Sequence, residues 1–284
     1  MSCKTELSCN TSKGFFSVNQ IKMIALVCMT LDHLGKNVVF LFSPLWSLVM
    51  QIVGRLAAPL FLFALIEGLW HTRSKVNYAC RMYLASISFY IPHYLVSKFH
   101  EPSTRSGFCY PGNILPTFFC IIVLVHVIEQ VIDLFSEKKN HAVFSVIGLS
   151  VYILISASLS EVYPDSALRV LLFPYPYSHL DYAYFIPLGC VMYFAKSKNK
   201  SCFIFGAFSL AYFLQTFLGV MLEQYPLGYL FLADYQWFMA LALPFMLLCN
   251  ETRGRSIKSF FYSYYLLHNF VFYLVGQYLS SFIA

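Results

Sequence analysis

The sequence predicts an all-α fold: a polytopic transmembrane helical bundle of about nine spans, with a cytoplasmic N-terminus. Three observations carry that prediction. Of 284 residues, 59% are hydrophobic and only 11% are charged, less than half the roughly 25% charge of an ordinary soluble domain. Mean hydropathy is +0.65, and the apolar residues come in long blocks with little amphipathic alternation. The basic residues gather in alternate loops between those blocks. A water-soluble globule, a disordered chain, a coiled coil and a secreted disulfide scaffold are thereby excluded.

A hydrocarbon core about 30 Å thick needs about 20 mostly apolar residues per helix. Residues 1–20 are polar and lack a signal peptide's apolar stretch, so they read as a cytoplasmic tail and the first span as a retained anchor. Residues 21–284 then form one multi-span membrane domain. Its spans are expected at Ile21–Phe42, Leu45–Trp70, Val76–Val96, Ile114–Phe135, Ala142–Ser160, Tyr182–Ala195, Cys202–Leu222, Leu230–Cys249 and Ser259–Phe282. The sixth is short, and Leu168–Phe173 is expected to extend it or to form a re-entrant or interfacial segment.

Nine spans place the N-terminal tail and the even-numbered loops on one side. That side holds Lys4, Lys13, Lys22, Arg73, Lys75, Lys138, Lys139, Lys196, Lys198, Lys200, Arg253, Arg255 and Lys258, thirteen of the 19 basic residues. The opposite side holds Lys98, Arg105 and Arg169. This is the positive-inside asymmetry, and it sets the N-terminus in the cytoplasm of a multi-pass inner-membrane protein. Three glycosylation sequons, at Asn10, Asn199 and Asn250, fall on that side and are expected to stay unused. The net charge of +6 is spread over loops with no single patch, so the expected partner is the lipid bilayer and not nucleic acid. The nine cysteines are scattered, odd in number and without a CxxC pair, which fits neither a disulfide framework nor a metal site.

Ionisable side chains inside hydrocarbon cost about 2.5–3.5 kcal/mol each on insertion scales, which makes them candidate functional groups. Asp32 and His33 fall about ten residues, or roughly 15 Å, into the first span, and His268 is as far from the Arg253–Lys258 loop. Arg55 is expected at similar depth in the second span. Pro59 has no N–H for the carbonyl of Arg55, and Gly54 and Ala58 form a small-xxx-small pair that admits a close helix. Glu67 and His71 stand four apart at the cytoplasmic end of the same span. A structural reading stands beside the functional one: Asp32 with Lys36 or Arg55 as an ion pair that only holds helices together. The aromatic run Phe260, Phe261, Tyr264 and Tyr265 reads as packing and interface anchoring.

Several ordered motifs resemble TraX-family membrane proteins. The run Ile21–His33, with its Asp-His pair, is similar to the family's opening segment. Val53–Phe61, Glu67-Gly68, His71-Thr72-Arg73 and Tyr78–Arg81 follow in the family's order. Asn113–Thr117, Asp181-Tyr182, Gln236-Trp237-Phe238, Asn250–Gly254 and Phe261–His268 complete the likeness. Two departures stand out: Glu251 replaces a glycine, and Leu266-Leu267 replace the element the family usually carries before its last histidine.

The resemblance implies a membrane acetyltransferase, since the family is named for the protein that acetylates the N-terminus of conjugative pilin. Acetyl-CoA is the implied acyl donor, and a protein or glycan the implied acceptor. On that reading His33 is the first choice of general base and His268 the second. Asp32, Arg55 and Glu67 complete the catalytic set, with Asp32 holding an imidazole tautomer and Arg55 balancing Asp32 or stabilising the oxyanion. His71, Arg73, Arg81, Asn250 and Arg253 are the candidate cofactor-binding residues. Asn113, Thr117, Asp181 and Tyr182, nearer the outer face, are the candidates for substrate binding. The alternatives are a proton-coupled transporter, which would also place Asp32, His33 and Arg55 at depth, and a non-catalytic pilus-assembly factor.

Overall fold

The computed structural model describes residues 14–37, 43–99, 113–137, 182–255 and 258–283, with five positions between 143 and 151. The expected span Ala142–Ser160 falls almost wholly outside the described residues, as do Leu168–Phe173 and Asp181. What is described is helical, with a single isolated β-bridge between Phe16 and Cys249.

The chain begins with a tight hairpin. Helix α1 (Val18–Asn37) turns back into α2 (Pro44–Gly54), whose proline occupies the first turn, where its missing N–H costs nothing. The expected second span is not one straight helix. It breaks at Arg55 and Leu56, and α3 (Ala57–Trp70) continues it. At the break the N–H groups of Arg55 and Leu56 donate to the carbonyls of Ile52 and Val53 at 3.1 and 3.2 Å, a tighter, three-residue step. Pro59, with no N–H to offer the Arg55 carbonyl, accounts for the loss of regular bonding there. Helix α3 is apolar all round, and nearly all of it is buried, from Ala57 to Leu69. A helix without a polar face belongs in the centre of a bundle.

Around α3 stand α4 (Lys75–Phe99), α5 (Leu115–Glu137), α6 (Phe185–Phe194) and α7 (Lys198–Leu222). Each packs on the next, while the last helix, α10 (Lys258–Ile283), lies against α1 and α4. Three helical stretches among the described residues are long and apolar enough to cross a membrane: Pro44–Trp70, Leu115–Asp133 and Lys198–Leu222. Helix α7 buries one side and turns Phe203, Leu210, Leu214, Leu218 and Leu222 outward. So long an apolar face suits lipid and is a liability in water.

The expected eighth span, Leu230–Cys249, is also interrupted. It consists of α8 (Tyr229–Leu232), a 3₁₀ segment (Gln236–Ala242) and α9 (Leu243–Leu247). Between the first two, Asp234 accepts from Thr216 Oγ at 3.1 Å and from the Gln236 N–H at 3.5 Å. Trp237 Nε1 donates back to the Leu230 carbonyl at 2.8 Å. A short carboxylate that takes a backbone donor competes with regular helix, and Pro244 then begins a new one.

Distant segments close one end of the bundle. Val18 N–H donates to Thr252 O at 2.9 Å, Asn250 N–H to Phe16 O at 2.8 Å, and Asn19 Nδ2 to Arg255 O at 2.6 Å. Lys198 Nζ reaches Cys249 O at 2.7 Å. Trp70 Nε1 donates to Tyr193 O at 2.9 Å, and Glu129 receives Lys75 at 2.8 Å and Tyr193 Oη at 2.5 Å. The start of α1, the α3–α4 turn, the lower part of α5, the α6–α7 turn and the 249–255 loop therefore share this end. Gly254, at φ +68°, passes so close to Ser17 that a Cβ would lie 2.5 Å from its Oγ.

Candidate functional site

The α1–α2 hairpin is set by two missing side chains. A Cβ on Gly54 would overlap the side chain of Asp32, and one on Gly35 would press on Met50 at 3.0 Å. Ser47 Oγ locks the approach by donating to the Gly35 carbonyl at 2.8 Å. With the helices this close, Asp32, 7% exposed, lies against the α2–α3 break. Arg55 Nη2 meets Asp32 Oδ1 at 2.5 Å, and Lys36 Nζ meets Oδ2 at 2.6 Å from one turn along α1.

The rest of the guanidinium is also engaged. Arg55 Nε donates to the Gln51 carbonyl at 3.2 Å, and Nη1 donates to Gln236 Oε1 at 3.0 Å and Tyr182 Oη at 3.4 Å. Its carbon sits 5.6 Å from the ring centre of Tyr235, whose hydroxyl donates to Gln51 Oε1 at 2.6 Å. One carboxylate facing two cations leaves a surplus of positive charge, which is where a developing anion is stabilised.

Beside this ion cluster, His33 and His268 pack edge to face with ring centres 5.1 Å apart. His268 is 5% exposed. Its Nδ1 lies 2.8 Å from the carbonyl of Tyr264; a carbonyl can only accept, so Nδ1 carries the proton and Nε2 holds the lone pair. The ring stacks on Tyr264, whose hydroxyl bonds Thr30 Oγ at 2.7 Å. Thus α10 is tied to α1 one turn before the imidazole pair as well as at it. At the start of α5, Asn113 and Thr117 are fully buried. Asn113 Oδ1 accepts from Leu115 N–H at 3.1 Å and Tyr265 Oη at 3.2 Å. The Tyr265 ring centre lies 5.8 Å from that of His268.

Asp32, His33, Arg55 and His268, placed at one depth by the sequence, are therefore neighbours, joined by Tyr182. His268 keeps its expected ten residues from Lys258, while the depth of Asp32 differs from expectation. Helix α1 begins at Val18, so Asp32 lies fourteen residues, or about 21 Å, from the closed end, and not about 15 Å. Arg55 is about 22 Å from the Trp70 end of α3 by the same rise. Glu67 does not join them. It is buried near the closed end, about 18 Å along α3 from Arg55.

The expected cofactor residues also lie toward that end. His71 Nδ1 contacts the Glu67 carbonyl at 2.8 Å, and Arg73 is exposed in the α3–α4 turn. Asn250 Oδ1 accepts from Thr252 N–H at 3.0 Å and Oγ at 2.7 Å, and the Arg253 carbonyl accepts from the Asn19 N–H at 3.3 Å. Arg81 lies further into α4, 5.5 Å from the ring centre of Tyr78.

Sequence reasoning missed Gln51, Tyr235, Gln236, Thr30 and Tyr264 as parts of the cluster. Gln51 precedes Arg55 by one turn, which was the one local signal available.

The family model described as TraX protein matches residues 17–276. A curated relative, the probable fimbrial assembly protein FimC, serogroup H1, of Dichelobacter nodosus, is 40% identical over 68 residues. That stretch is 24% of this chain and 27% of the relative, so the match spans about a quarter of either protein. No solved structure matches the chain.

Proposed function

Because the chain belongs to the TraX family, we propose that it is an integral membrane acetyltransferase. It moves an acetyl group from cytoplasmic acetyl-CoA to an amine or hydroxyl, such as a pilin N-terminus or an envelope glycan. The observation that carries this reading is the His33–His268 pair set against a carboxylate that faces two cations. The printed name of the fimbrial relative favours a pilus protein as acceptor. In this reading the chain crosses the inner membrane about nine times with its N-terminus in the cytoplasm, and the closed, lysine- and arginine-rich end faces the cytoplasm.

His268 acts as the base. Its tautomer is fixed by the Tyr264 carbonyl, so Nε2 takes the proton of the attacking amine or hydroxyl. His33, in contact with it, shares that proton. Asp32, with both oxygens engaged by cations, holds Arg55 and Lys36 in place. Arg55 and Lys36 supply the positive field in which the thioester carbonyl becomes an oxyanion. His71, Arg73, Arg81, Asn250 and Arg253 receive the phosphates and the nucleotide of coenzyme A. Thr117, Tyr182 and Asn113, together with Asp181, receive the acceptor. Glu67 stands with the cofactor residues and takes no part in moving the acceptor's proton.

Purified protein in nanodiscs, given acetyl-CoA and a pilin N-terminal peptide or an amino sugar, is expected to release free thiol. His268→Ala and His33→Ala should each lower that release at least a hundredfold. Wild-type protein inert toward acetyl-CoA, yet accumulating solute in vesicles under a proton gradient, would replace this reading with a transporter.

A further inference from the structure

Asn113 carries a buried amide with one half committed and the other idle. It is 1% exposed. Its Oδ1 accepts from the Leu115 N–H at 3.1 Å and from the Tyr265 hydroxyl at 3.2 Å, which in turn accepts from the Ile114 N–H at 3.3 Å. The Leu115 N–H can only donate, so it fixes the amide's orientation, and the nitrogen must point the other way. Among the described residues that nitrogen has no hydrogen-bond partner, although it is cut off from solvent. An unmet buried donor costs about 1–3 kcal/mol, so a group held in that state calls for an explanation.

The position suggests one. Asn113 opens α5, sixteen residues before Glu129, which is tied to the closed end by Lys75 and Tyr193. At the helical rise that is about 24 Å, close to the roughly 21 Å of Asp32 and 22 Å of Arg55. Tyr265, which bonds Asn113, stands on α10 three residues before His268 and packs beside its ring. Asn113 is thus level with the ion cluster and bonded to a side chain that packs on His268. A pre-oriented, desolvated N–H is the kind of donor that stabilises an oxyanion, because it needs no reorganisation when charge develops.

We propose that Asn113 Nδ2 is the oxyanion donor of the acetyl transfer, a role that rests on the acetyltransferase reading above. The acceptor's nitrogen or oxygen attacks the thioester carbonyl carbon, and the carbonyl π pair moves onto oxygen, where Asn113 Nδ2–H receives it. His268 Nε2 takes the acceptor's proton. When the oxygen's pair returns, the carbon–sulfur bond breaks, and the leaving thiolate of coenzyme A takes that proton from the imidazolium. The products are the acetylated acceptor and free coenzyme A.

Asn113→Asp is the discriminating variant. It keeps an oxygen for Leu115 and Tyr265 and puts a second oxygen where the N–H stood. Its kcat for thiol release should fall a hundredfold to a thousandfold, with KM for acetyl-CoA changed less than threefold. Tyr265→Phe keeps the ring but removes one of the two bonds that hold the amide, and should lower kcat about tenfold with the same constancy of KM. Wild-type kcat in either folded variant overturns the assignment, as does a loss confined to KM. Should Asn113→Asp fail to fold, Tyr265→Phe alone decides. A wild-type protein without thiol release sinks the acetyltransferase reading itself, which is a different result from an active wild type beside an unimpaired Asn113→Asp.

Discussion

At the scale of single residues, the polar cluster is held by an arginine that no lysine can replace. Arg55 spreads its donors over Asp32, Gln51, Gln236 and Tyr182 at once, whereas an ammonium is a single point of charge. The pair is buried, so breaking it and removing it are different experiments. Asp32→Asn leaves two cations without their carboxylate and should destabilise the protein by about 3–5 kcal/mol, read as a lower melting temperature in detergent. The double variant Asp32→Leu with Arg55→Met removes both charges, and should recover much of that stability while remaining inactive. Recovery of activity in the double variant would show the pair to be scaffolding only. The sequence made Asp32, His33, Arg55 and His268 legible because a charge in an apolar run is conspicuous by its cost. Gln51, Gln236 and Tyr235 carried no such mark. Neutral polar side chains are tolerated in membrane helices, and their partners lie up to 184 positions away in the chain.

Among the elements, the α2–α3 break matters most, since it decides where Arg55 points. Pro59 was readable as a source of an unmatched carbonyl, and the break follows from it. Pro59→Ala restores the N–H that Arg55 O lacks, so the two helices should straighten into one. The expected outcome is an unchanged or higher melting temperature with activity reduced about tenfold or more, measured by thiol release. Activity equal to wild type would mean that the break does not position the guanidinium. The interruption of 230–249 was less legible. Hydropathy averages over a window, so Asp234 disappears among its apolar neighbours. Of its two hydrogen bonds one is local, from the Gln236 N–H, and the other comes from Thr216 in α7, a contact the sequence does not announce.

For the whole molecule, residues 16–19, the two turns before α4 and α7, and the 249–255 loop are hydrogen-bonded together at the closed end. A membrane-impermeant maleimide should therefore label Arg73→Cys, Lys200→Cys and Arg255→Cys from one side of the membrane and Glu223→Cys from the other, in a background with its native thiols silenced. Labelling of Lys200→Cys and Glu223→Cys from the same side would mean that α7 does not cross. The bonds between residues 16–19 and 248–255 also carry a consequence for biosynthesis. The α1–α2 hairpin, with its carboxylate and guanidinium only 23 positions apart, can dock while most of the chain is still on the ribosome. The loop that anchors the start of α1, and the histidine that meets His33, emerge about 190 residues or more after Arg55. A polypeptide released early would hold a finished ion pair beside a His33 that lacks His268.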